Sequence, residues 1–272
     1  MWELGFECLK SEAGIFQYKK GNTIIAVVYV DDTFFCGPNK TLLNEIKVKF
    51  MSKWECRDLG NLSEFLQMKI AQHDQCIYID QADYLKKILS CFQMQNAHYV
   101  PTSLSTGYHL QKHTDPVDHV LQKKFQMLVE SLLYLILGTH PDIAFAITQL
   151  AWHIANPSKD HLVKALYICQ YLARTQNYAL VYKGDSKLGI YACTDSDWAS
   201  NSEDQCSQTG YYLIIAGGVF SWTLRTQRMV ALSSTEAKYM VLSDCSWQYI
   251  WVRSILTELG YKFSPIHISG NN

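Results

Sequence analysis

Two aspartates stand side by side at Asp31-Asp32, after the apolar run Ile24-Ile25-Ala26-Val27-Val28-Tyr29-Val30 and before a second one, Thr33-Phe34-Phe35-Cys36. β-Branched and aromatic residues fill both runs, so the pattern predicts strand, tight turn, strand, with both carboxylates at the tip. Adjacent carboxylates repel, which raises one pKa unless cations or donors hold both ionised. Magnesium or manganese suits them, because hard cations prefer carboxylate oxygen. Ordinary turn chemistry also places Asp after strands, so the pair takes its meaning from its surroundings. A second acidic group, Asp195-Ser196-Asp197, ends another strand-like run. Alone it reads equally as a polar strand end. It also fits the metal-nucleotide motif of a glycosyltransferase, although no nucleotide-binding α/β repeat precedes it.

The elements that must position these groups follow from periodicity. A strand at Gly14–Tyr18 leads through the turn Lys19–Asn22 into the hairpin. Asn39 then caps a helix to about Trp54, with Leu43, Ile46 and Phe50 inward. Strands follow near Phe65–Ile70 and Cys76–Ile79, and Asp80 caps a helix carrying Leu85, Ile88, Leu89 and Phe92. Residues Asn96 to Pro116 lack periodicity and read as a linker. One helix spans about Leu121 to Leu137 and stops at Gly138. Thr139 caps the next, which ends near Asn156-Pro157 with Ile143, Ile147, Leu150 and Ile154 as its stripe. A third, Pro157 to Arg174, packs Leu162, Leu166, Cys169 and Leu172. The first two of these helices form an antiparallel pair. Beyond Ala179 come strands at Leu180–Tyr182, Leu188–Thr194, Gly210–Ile215, Val219–Leu224 and Met229–Leu232. A helix from Ser233 to Leu259 and a strand at Ile266–Ile268 complete the chain. Ser233-Ser234-Thr235-Glu236 fits a capping box, which commits Glu236 to the helix start.

With 272 residues, 48% hydrophobic and 18% charged, the chain is globular and large enough for two domains. A net charge of −1 gives no global basic field, which weighs against a free-standing nucleic-acid module but leaves room for a local cleft. The nine cysteines include no Cys-x-x-Cys pair, and the nine histidines lack ligand spacing. Reduced thiols are therefore expected, without disulfides or zinc. The acidic N-terminus is no secretory signal. Leu128–Leu137, broken by Glu130, is too short to span a bilayer. An intracellular protein, in cytoplasm or nucleus, is the expectation.

Tyr29-Val30-Asp31-Asp32 after an apolar strand resembles the catalytic hairpin of reverse transcriptases. Asp58-Leu59-Gly60 with Phe65-Leu66, Tyr84-Leu85-Lys86-Lys87-Ile88-Leu89, Ser131-Leu132-Leu133-Tyr134-Leu135 and Thr139-His140-Pro141-Asp142-Ile143-Ala144 extend the likeness. Together they resemble the polymerase and connecting region of copia-type retrotransposon Pol polyproteins. Asp195-Ser196-Asp197-Trp198-Ala199, Ser221-Trp222 and Ala231-Leu232-Ser233-Ser234-Thr235-Glu236-Ala237 resemble the ribonuclease H domain of the same polyproteins. The likeness covers nearly the whole chain in the family's order. It implies an α+β fold in three parts. Residues 1–116 are the C-terminal part of the reverse transcriptase, with palm hairpin and thumb-side helices. Residues 117–178 are connecting helices, and residues 179–272 a truncated ribonuclease H-like domain.

The resemblance implies Mg2+ held by Asp31, Asp32 and Asp195, and as partners an RNA/DNA template-primer or an RNA–DNA hybrid. It also exposes departures. The polymerase's third carboxylate, from a strand well upstream, has no counterpart before Tyr29. Lys238 takes the position of the ribonuclease H glutamate, and Asn271 that of its next aspartate. Asparagine offers one neutral oxygen and no charge. The role of Asp197 stays open. His140 replaces a usual Arg, and Gln67 a usual Gly. The resulting expectation is a polyprotein fragment with vestigial sites, in which Lys238 approaches and pairs with Asp195. Its alternative is a host-retained, non-catalytic nucleic-acid-binding or interaction protein.

Overall fold

The computed structural model describes all residues except 20–22, 106–109, 185–188, 199–204, 263–265 and 271–272. The turn expected at Lys19–Asn22 and the position of Asn271 thus fall wholly or partly outside the described residues. The fold is mixed α/β, with two compact units: Met1–Phe65 with Ser243–Ile266, and Leu66–Leu242 with His267–Asn272.

In the first unit, strands β1 (Phe6–Cys8), β2 (Ile15–Tyr18), β3 (Ile24–Tyr29) and β4 (Asp32–Cys36) form one antiparallel sheet in chain order. Strand β1 was not expected, being only three residues long and entered through a 3-10 turn, Trp2–Leu4. Helix α1 (Lys40–Met51) starts where expected, with the Asn39 side chain accepting the Leu42 N–H at 3.1 Å. Phe6, Ile24, Ala26 and Ile46 are buried between sheet and helix, with Phe35, Leu42 and Leu43 packed against them. A two-residue strand, β5 (Glu64–Phe65), ends this part, and the Phe65 ring meets Phe34 edge-on at 5.0 Å.

In the second unit, β6 (Met68–His73), β7 (Cys76–Asp80) and β8 (Leu180–Lys183) pair antiparallel. The β8 strand, expected ahead of the C-terminal strand group, joins β7 by the pair Tyr78↔Val181, which no local pattern announces. Helices α2 (Ala82–Cys91), α3 (His119–Gly138), α4 (Ala144–Ala151) and α5 (Lys159–Thr175) bury Leu85, Phe125, Leu128, Leu132, Ile147 and Leu172 among others. Each such side chain is worth about 1.5–3 kcal/mol of burial. The start of α3 meets the segment just after α4, since Gln122 and Gln126 donate to Ala155 O and Ile154 O at 2.7 and 3.4 Å. The two therefore run antiparallel, as expected.

Several boundaries need correction. Gln81, not Asp80, is the N-cap of α2, while Asp80 accepts the Ala82 N–H from one residue earlier. Thr139 caps the end of α3 and donates its hydroxyl to Gln81 Oε1 at 2.9 Å instead of starting the next helix. Pro141 pushes His140 out of helical geometry, so a 3-10 turn, Pro141–Ile143, precedes a short α4 that ends at Ala151. Helix α5 opens on a capping box between Ser158 and His161.

The third sheet holds β9 (Ile190–Asp197), β10 (Gln208–Ile215), β11 (Gly218–Thr226) and β12 (His267–Gly270) in the order β11-β10-β9-β12. Only β12 is parallel to its neighbour, β9. Helix α6 (Ser234–Glu258) precedes β12. The strand expected at Met229–Leu232 does not form. Buried Gln227 donates to Ala237 O and Thr209 Oγ1, which turns the chain into α6 instead. Among the described residues no helix is long and apolar enough to cross a membrane.

Candidate nucleic-acid interface

The hairpin register pairs Tyr29 with Asp32, leaving Val30 and Asp31 as a two-residue turn. Such turns need φ above zero at their first central position, and Val30 supplies φ +52°. A β-branched residue in that region is a genuine outlier, stored where the surrounding strands over-determine it. Val30 is 83% exposed, and Asp31 and Asp32 are exposed too. Burial thus does not compel the strain; the turn geometry does. Asp31 lies in the turn itself and Asp32 opens β4, so both carboxylates stand at the exposed tip.

The second group lies where β9, β12 and the first turns of α6 converge. Thr194, Asp195, Thr235, Lys238, Tyr239, Val241, Leu242, Ile268 and Gly270 line a cavity of about 360 Å³ there. Lys238 and Asp195 share this cavity, but the expected ion pair between them is not formed. The Asp195 carboxylate turns back on the Ser196 N–H at 2.8 Å and is exposed, where an ion pair gains little. Asp197 ends β9 with an exposed side chain and is not part of the lining. Glu236 is held at the helix start: its carboxylate accepts the Leu232 N–H, and its own N–H donates to Ser233 Oγ. Asn271 lies outside the described residues.

Among the described residues no three His, Cys, Asp or Glu side chains converge closely enough to hold a metal ion. The hairpin supplies two carboxylates and the cavity one, beside an ammonium. These groups alone do not make a two-metal cage.

Comparison with known proteins supplies the context. The model of the family described as reverse transcriptase (RNA-dependent DNA polymerase) matches residues 1–105. The retrovirus-related Pol polyprotein of transposon TNT 1-94 from Nicotiana tabacum is 31% identical over 251 residues, 90% of this chain and 19% of that protein. That of transposon RE1 from Arabidopsis thaliana is 30% identical over 267 residues, 96% of this chain and 18% of that one. The chain belongs to the copia-type retrotransposon Pol polyprotein family. It spans about a fifth of the length of these Pol relatives. A protein described as an uncharacterized mitochondrial protein of Arabidopsis thaliana is 29% identical over 231 residues, 83% of this chain and 92% of that protein. No solved structure matches.

Within this Pol segment, one departure now has a physical account. Gln67 sits at φ +59° beside Leu66 at φ +51°, in the tight reversal after β5. The glycine usual there would adopt that backbone freely. His140 is buried with its Nε2 unpartnered, and burial holds its pKa below the ordinary histidine value despite nearby Asp142 and Asp80. Reading the sequence missed Thr194, Thr235, Tyr239 and Gly270 as cavity lining. Thr194 and Thr235 adjoin flagged motifs, but Gly270 reaches Thr194 only through the parallel β9–β12 pairing.

Proposed function

We propose that residues 1–116 are the C-terminal part of an RNA-directed DNA polymerase, 117–178 its connecting helices, and 179–272 a ribonuclease H-like region. Asp31 and Asp32 are two of the metal-binding carboxylates of the polymerase site. The working site needs a third carboxylate from another segment. When magnesium is bound there, it supplies activation of the primer hydroxyl and charge stabilisation at phosphorus. What this chain contributes is placement: a strained two-residue turn that fixes both carboxylates at the strand ends. The natural partner is an RNA/DNA template-primer.

The ribonuclease H-like region does not cleave. The observation that carries this reading is Lys238, an ammonium in the same cavity as Asp195. Two-metal hydrolysis needs negative charge there, and a fixed cation opposes it. The purified chain, given magnesium and a labelled RNA–DNA hybrid, should leave the RNA intact. Cleavage that disappears with Asp195→Asn would overturn the reading. A second reading, a host-retained binding protein without activity, draws on the mitochondrial relative, of which this chain covers 92%. Hybrid and single-strand filter binding across a salt titration separates the two: salt-sensitive binding with no catalysis in any context supports the second.

A further inference from the structure

We infer that the Lys238 cavity is a metal-independent seat for a phosphodiester of a nucleic-acid strand. This rests on the reading of residues 179–272 given above and adds what that region still binds. Among the described residues Lys238 has no acidic partner within ion-pair reach, although Asp195 lines the same cavity. An ammonium has three donors and no acceptor, so a half-buried lysine left without a partner is a site waiting for an anion. Thr194 and Thr235 line the same space, the Thr194 hydroxyl donating to Ser269 O at 3.5 Å on the β12 side. Thr235 sits in the first turn of α6, where the helix dipole also favours negative charge.

The rim fits the rest of a nucleotide. Tyr239 is 68% exposed at the cavity edge. A cation for the backbone with an exposed aromatic ring beside it is how sequence-tolerant single-strand binding is built. The second oxygen of the exposed Asp195 carboxylate can accept a ribose 2′-hydroxyl, the group that separates RNA from DNA. Magnesium has no place in this arrangement, because the lysine already supplies the positive charge.

The test uses the purified full chain and fluorescein-labelled single-stranded RNA and DNA of the same mixed sequence, in excess EDTA. Binding should persist in EDTA and favour RNA. Lys238→Glu should weaken it roughly tenfold and lower the dependence of log affinity on log salt by about 0.7, the value for one phosphate contact on a single strand. Lys238→Arg should retain the affinity, which excludes a folding defect as the cause. Asp195→Asn should strengthen binding by removing a like charge, whereas a metal-dependent site would weaken with the same change. Binding that requires magnesium, or that Lys238→Glu leaves unaltered, overturns the inference. Hybrid cleavage by the chain would instead overturn the reading beneath it, so the two failures are distinct.

Discussion

The hairpin tip and the β9–α6 cavity both present an aspartate at the end of a strand, yet they treat its charge in opposite ways. At the tip, Asp31 and Asp32 stand side by side, exposed, on a turn strained at Val30. In the cavity, Asp195 stands alone and shares its space with Lys238. The first arrangement concentrates negative charge and so asks for a cation from outside. The second carries its cation already. On the readings proposed above, two strand ends with like chemistry in the sequence thus take different ligands, a metal in one case and an anion in the other.

The strongest way to break this comparison is to supply the rest of the protein. Exchanging this chain for the matching region of the tobacco TNT 1-94 Pol polyprotein should preserve primer extension and abolish hybrid cleavage. The cleavage loss should be roughly a hundredfold or more, because metal stabilisation is worth several kcal/mol and about 1.4 kcal/mol is one decade. Asp31→Asn in the same chimera should then remove primer extension. Cleavage at the parental rate would show that Lys238 does not disable the cavity.

Acid should separate the two regions by stability. All nine histidines lie in the unit that holds the cavity, and none in the unit that holds the hairpin. Among them His161 is 1% exposed, and burial, with the neighbouring His153 ring stacked at 4.2 Å, lowers its pKa from 6.5 to about 4. Its Nδ1 accepts the Ser158 N–H, so protonation also breaks the capping box of α5. A depressed histidine pKa means that the unfolded chain takes up the proton first. Stability is therefore complete above pH 6.5 and falls as pH drops towards 4, by roughly 3 kcal/mol in total. Hydrogen exchange at pH 7 and pH 4.5 should show α5 amides losing protection while the β3–β4 amides hold. His161→Gln should flatten the difference. Equal loss in both units would remove this distinction.

How far the sequence spoke for each region differs too. The hairpin was legible down to its tip, because strand propensity, alternation and turn chemistry all act within a dozen or so residues. The helices and their inner faces at Ile46, Leu85 and Leu132 were legible for the same reason. The cavity was only half legible. Asp195 and Lys238 could be named from motifs, but Gly270 and Thr194 meet through a parallel pairing of distant strands. Their missing ion pair depends on a side-chain hydrogen bond to Ser196 that no pattern encodes. The β7–β8 pairing and the Thr139–Gln81 contact were hidden by distance along the chain as well. The strain at Val30 was hidden for another reason: propensity places valine in strands and is silent about the turn that two strands impose.

Magnesium titration followed by NMR sharpens the electrostatic half of the comparison. Replacing Lys238 by Glu changes the cavity charge by two units. One pair of unit charges about 4 Å apart is worth roughly 4 kcal/mol at an effective dielectric near 20, and solvent screening leaves only part of it. Lys238→Glu should therefore raise magnesium affinity near Asp195 about tenfold or more. The same titration at the hairpin should not respond to this change. Unchanged shifts around Thr194 and Ile268 would mean that Lys238 does not govern the charge of the cavity.

The smallest expected effect concerns strain, which the hairpin stores at its tip. Val30 holds φ +52° with a β-branched side chain, a conformation that costs about 1–2 kcal/mol relative to right-handed backbone. Because the side chain is 83% exposed, removing it forfeits almost no burial. Glycine relieves the strain but adds roughly 0.5–1 kcal/mol of unfolded-state entropy. Val30→Gly should therefore stabilise the chain slightly, by about 0.5–1 kcal/mol in urea unfolding. Gln67→Gly, at φ +59° in the other compact unit, is the matched control and should gain a similar amount. In the chimera their effects should part. Gln67→Gly should leave primer extension alone, whereas Val30→Gly should slow it, because a glycine turn no longer fixes Asp31 against Asp32. Equal rates for the two variants would mean that the strain at Val30 is only a by-product of the tight turn and does not serve the carboxylates.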